Sequence, residues 1–145
     1  MANATYDAWK QELLGDAGGP GHGTTDFEAD NFKMILLDAA DHTTNTATDA
    51  DHANLTAGGI VATSANMTSM AVTIAAGTAT VDCADFTWSA VTGDQSEEVV
   101  FYKDSGVSAT SLLIINFDTF GSGMPVTPNG GDINVTVNAS GIFTM

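Results

Sequence analysis

The chain is 145 residues long, enough for one domain to bury a core without staples, and it sets 18 acidic residues against 3 lysines (Lys10, Lys33, Lys103) and no arginine, for a formal charge of −15. Proteins bind nucleic acid by displacing phosphate counterions with cations, so this balance argues against that partner, and the same field repels anionic lipid surfaces. Cys83 is the only cysteine, which excludes an intrachain disulfide.

In chain order, Tyr6, Trp9, Leu13 and Leu14 recur at the spacing of one face of a short helix. Asn3 or Thr5 is placed to cap it and Gly15 to stop it. A helix this short is not stable alone in water, so its apolar stripe must dock, either on its own domain or on a neighbouring subunit. The segment GDAGGPGHGTTD, residues 15–26, reads as a flexible Gly-rich link. Residues 1–26 are therefore expected as a helix and arm, and 27–145 as a single β domain.

FKMILLD, residues 32–38, reads as a buried strand, and residues 39–57 as a long polar excursion of the kind that carries function or wraps a partner. Strands are expected over 59–63, 67–75, 78–83 and 86–91. Within the second of these, Met70, Val72 and Ile74 alternate with Ala71, Thr73 and Ala75, the mark of a strand with one apolar face. Phe86, Trp88 and Ala90 share a face, which places Trp88 inward. EEVVFYKD (97–104) and SLLIINFD (111–118) are apolar on both faces and suit central positions covered on each side. Asn129-Gly130 marks a turn, residues 133–137 alternate again, and 142–145 form a last strand. The fold expected is all-β, a jelly-roll-like β-sandwich of about eight or nine strands with one N-terminal helix.

No catalytic, cofactor or metal constellation emerges from these residues. Adjacent Glu97 and Glu98 point to opposite faces of a strand and cannot act as a glycosidase pair. Cys83 lies among small residues as a buried hydrophobe. The best metal candidate is the region of Asp38, Asp41, His42, Asp49, Asp51 and His52, which lacks the glycine and closing glutamate of a standard calcium loop. No run of about 20 apolar residues suggests a membrane span, and no basic start with an apolar core opens the chain, so synthesis in a bacterial cytoplasm is expected.

The order of these pieces resembles a family of small tailed-bacteriophage virion proteins. The likeness runs through "YDAWKQELL", "FKMILLDA", "GGIVATSANMT", "DFTWSAVTGDQSEEVVFYKDSGVSATSLLIINFDT" and the closing "PVTPNGGDINVTV…GIFTM", and is closest over residues 84–145. It implies a non-enzymatic capsid decoration (cement) protein, a homo-oligomer and specifically a trimer, bound to the major capsid protein on the outside of the virion. Tyr6, Trp9, Leu13 and Leu14 are then the expected capsid or subunit interface, with the 39–57 excursion as a second contact. The alternatives are a tail, neck or receptor-contacting virion component, or a calcium-assisted carbohydrate-binding module.

Overall fold

The computed structural model describes residues 3–15, 24–120 and 123–145. Its elements in chain order are β1 (Ala4–Thr5), α1 (Asp7–Leu13), β2 (Phe32–Leu37), β3 (Ile60–Thr63), β4 (Ala71–Ala75), β5 (Thr78–Asp82), β6 (Phe86–Trp88), β7 (Glu98–Lys103), β8 (Leu113–Phe117), β9 (Ile133–Val135) and β10 (Phe143–Thr144), with short 3-10 turns between some of them. They form a five-stranded sheet in the order β1-β8-β7-β2-β3, a three-stranded sheet β10-β5-β4 and a two-stranded sheet β6-β9, all antiparallel. The fold is all-β and sandwich-like, as the strand pattern predicts.

The large sheet is the centre of the molecule because its middle strands are apolar on both faces. Phe32, Met34 and Leu36 of β2 point into the main core with Val99 and Phe101 of β7. Trp88, Phe86 and Ile133 from β6 and β9 close over this face, and the Trp88 indole N–H donates to the Met34 carbonyl at 3.1 Å. Phe27, Phe32 and Phe101 stack in sequence, with ring centroids 5.1 Å apart for the first pair and 5.3 Å for the second. Between Phe101 and Tyr102 of β7 the register against β8 shifts, so that Ile114 and Ile115 both turn towards the main core.

The opposite face of the same sheet carries Ile35, Leu37, Val100, Tyr102 and Leu113. The polar excursion covers it. Leu55 inserts at 6% exposure, and the backbone is stitched down by His52 N–H to the Ser111 carbonyl (2.8 Å) and Leu113 N–H to the Ala50 carbonyl (3.0 Å). Gly59 lets this segment return to β3: a Cβ there would stand 2.8 Å from that of His42. Segment 39–57 therefore supplies the second cover that two-faced strands require.

The N-terminal region differs from expectation. Residues 4 and 5 pair with β8, so the helix begins only after them, with Tyr6 at its N-cap and no side-chain cap. Asn3 instead accepts hydrogen bonds from the backbone of Asp118 and Thr119, tying the strand end down. Gly15, at φ +78°, follows the helix as anticipated. Residues 3–15 thus belong to the sandwich, and the expected boundary at residue 26 does not separate them from it. Most of the expected Gly-rich link, residues 16–23, lies outside the described residues.

Candidate functional site

Three places on this scaffold bring chemistry or contact surface together: the N-terminal helix with the groove beside it, the polar layer under the excursion, and the loop acids around Asp38. The helix splits the expected interface stripe in two. Tyr6 and Trp9 are 0% and 1% exposed and anchor the helix to its own domain, Tyr6 on the second face of the large sheet and Trp9 in the main core. Leu13 and Leu14 are 45% and 88% exposed and form the part of the stripe that a neighbour can reach.

Between the helix and the C-terminal strand lies an apolar groove of about 310 Å³. Trp9, Leu13, Ile115, Phe117, Phe143 and Met145 are among its lining residues, together with Lys10, and among the described residues no Asp or Glu side chain is. It exists because β1 ends the large sheet while β10 ends the three-stranded sheet, leaving a slit between two sheet edges. Trp9 braces its floor edge-on against Phe143, with centroids 5.7 Å apart at 87°.

Under the excursion, the Thr44 hydroxyl donates to the Glu98 carboxylate at 2.6 Å, both residues being buried. Burial pushes the Tyr6 phenol far above its ordinary range, and the charges of Asp49 and Glu98 push it further. His42 Nδ1 accepts from the Thr56 backbone N–H at 3.1 Å, and its Nε2 faces the Asp49 carboxylate at 3.4 Å. His52 tilts against Tyr102 with ring centroids 5.3 Å apart, and burial lowers its pKa from the ordinary 6.5. Burial also raises the Tyr102 phenol to about 12, with help from Asp104.

The acids singled out from the sequence do not converge as a group. Asp38 and Asp41 meet Asp94, from a distant turn, with one carboxylate oxygen of each within 4.8 Å of the others; Asp49 goes to His42. Asp41 and Asp94 are exposed, and exposed acids gather in this way on anionic surfaces without an ion. The Cys83 thiol is buried and pushed up to about 12, first by burial and then by Asp82 and Asp85, so it remains a thiol at neutral pH.

Charge is distributed with a definite pattern. Each of the three lysines is held by an aspartate: Lys10 by Asp7 (2.7 Å), Lys33 by Asp104 (2.6 Å) and Lys103 by Asp30 (3.0 Å). Burial tends to raise the Asp104 carboxyl, but Lys33, the Gly106 amide and Ser111 together hold it below its ordinary value. The cations are thus spent inside the molecule, and the surplus of carboxylates sets its outer field.

Sequence reasoning missed Thr44, Asn116 and the groove. Thr44 is 4% exposed although it lies in a polar loop, whereas Asn116, at 0%, lies in a strand expected to be covered on both faces but is not singled out by its polar side chain. The groove joins residues from opposite ends of the chain. No protein-family model matches the chain, and no curated protein does. Among the described residues no helix is long and apolar enough to cross a membrane.

Proposed function

We propose that the protein is a non-enzymatic structural component of a bacteriophage virion, a head decoration (cement) protein that binds the outer surface of the major capsid protein and stabilises the shell. The observation that carries this reading is the exposed Leu13–Leu14 pair at the end of a helix whose other apolar residues are locked into the domain. A rigidly mounted apolar knob is a contact device, and a shell repeats that contact many times, so modest individual affinity gives a large collective effect. The paired lysines and the charge of −15 support a place outside the shell, since an anionic surface is repelled by packaged DNA.

The test is co-sedimentation of the purified protein with heads that lack it, followed by reconstruction of the decorated particle. Density on the outer capsid surface is expected, and Leu14→Asp should abolish co-sedimentation while leaving the fold intact. Retained binding by that variant removes the helix end as the anchor. Density at the tail or neck gives the alternative virion role, and density against the genome overturns the reading.

A further inference from the structure

We propose that the β4–β5 hairpin of one copy of this chain docks in the apolar groove of a second copy, making a head-to-tail contact between like molecules. Two independent features of the fold meet in this contact. The first is an open strand edge. β4 and β5 pair in unbroken register from Ala71↔Asp82 to Ala75↔Thr78 around a tight turn in which Ala76 and Gly77 have φ +51° and +83°. Ala79 exchanges backbone hydrogen bonds with Met145, and the Val81 carbonyl accepts from Ile142, so both turn their backbone groups towards β10. In an antiparallel ladder their partners across the hairpin, Ile74 and Val72, must direct theirs to the outer edge.

Natural sheets blunt such edges with lysine, proline or a bulge, and β4 has none of these. Among the described residues only its Val72 end is touched, by the Glu28 carboxylate at 3.5 Å from the amide nitrogen. Ile74 stands 78% exposed, although its alternating segment has the pattern of a strand that covers its apolar face. The second feature is the groove lined by Trp9, Leu13, Phe117, Phe143 and Met145, which borders β10 at the other edge of the same three-stranded sheet. A strand entering it meets apolar side chains beside a sheet edge, the two elements that strand addition uses.

Charge selects the occupant. Two copies that each carry −15 repel wherever their acids face one another, so contact is favoured where neither presents acidic side chains. From Ala53 to Val81 the chain has no ionisable residue, and among the described residues the groove is lined by no acidic side chain and by one cation, Lys10. Because hairpin and groove lie at opposite edges of one sheet, a copy that gives its hairpin still offers its groove. The contact is heterologous, and successive copies add in the same sense.

Sedimentation velocity from about 1 μM to about 1 mM tests this, with Ile74→Asp breaking the hairpin side and Leu13→Asp or Met145→Asp the groove side. The wild-type chain should self-associate, and each variant should weaken association about tenfold or more, towards the 14.9 kDa monomer. Circular dichroism should show every variant folded, since the three positions are 78%, 45% and 60% exposed. Mixing Ile74→Asp, whose groove is intact, with Met145→Asp, whose hairpin is intact, should restore a two-chain complex. A wild-type chain that stays monomeric throughout, groove variants that associate normally, or mixed variants that stay apart would each overturn the contact. Leu13 belongs to both the groove and the proposed shell anchor, so shell binding is read on the wild type and on Met145→Asp: a wild-type chain that stays monomeric yet decorates heads removes this contact and leaves the proposed function standing.

Discussion

The strands of the large sheet and β4 of the hairpin both carry apolar, β-branched residues, yet the first are buried on both faces and β4 is largely bare. In β2, β7 and β8 nearly every position is buried, with the smaller sheets on one side and the excursion on the other. In β4 four of five positions are exposed. Strand sequence therefore sets the capacity to be covered, and chain connectivity decides whether a cover arrives. The large sheet recruits its second cover from 39–57, a segment whose composition alone suggests solvent. Nothing in the described chain reaches the outer edge of β4 beyond the single contact from Glu28.

The sharpest way to break this contrast is to remove a side chain from the doubly covered region. Phe101 is 0% exposed and stacks on Phe32 and Phe27. Phe101→Ala should cost about 3–5 kcal/mol, because lost transfer energy and the residual cavity add. Urea unfolding with an unchanged m-value measures it. A loss below about 1 kcal/mol would mean that the core face is far less tightly packed than its burial implies.

The excursion's role as a cover can be sharpened through pH. His52 lies in that segment against Tyr102, and burial lowers its pKa below 6.5. The unfolded chain then binds the proton more readily than the folded one. Stability from this residue is fully present above pH 6.5 and is lost as the pH falls towards the lowered folded value. His52→Phe keeps a ring on Tyr102 and removes the titration, so its stability should fall less between pH 7 and 5.5 than that of the wild type. Parallel pH curves for the two proteins would show that His52 titrates alike in both states.

How much of this was legible in the sequence follows the same division. Runs such as FKMILLD and SLLIINFD reveal central strands because two apolar faces leave no room for polar alternation, and Trp88 could be placed inward from the period of its neighbours. The helix stripe of Tyr6, Trp9, Leu13 and Leu14 was visible too, but periodicity cannot distinguish docking at home from docking elsewhere. The structure buries the first two and exposes the second two. The strand at Ala4–Thr5 escaped notice because two residues carry no pattern; its pairing with Asn116 and Ile115 is set entirely by tertiary context. The groove escaped for a related reason, since a surface made where chain ends meet has no local signature. The alternation of Met70, Val72 and Ile74 was legible and its partner was not: Met70 packs on the core, while Ile74 projects beyond it.

The smallest effect is the most discriminating, and it lies within the hairpin itself. Val72 and Val81 are cross-strand partners, 37% and 3% exposed, and Ile74 follows one step further out at 78%. If exposure in the single chain governs stability, the cost of truncation to alanine should fall along the hairpin from Val81 through Val72 to Ile74. The last should lie within about 0.5 kcal/mol of zero, the range of ordinary surface substitutions. Measured on dilute protein, that gradient reports the isolated fold. Repeating the three unfolding curves at high concentration should leave Val81→Ala unchanged and make Ile74→Ala more costly, because a folded partner that seats the hairpin adds stability by mass action. A gradient indifferent to concentration would show that Ile74 is simply a solvated surface residue, and that the bare strand stays bare.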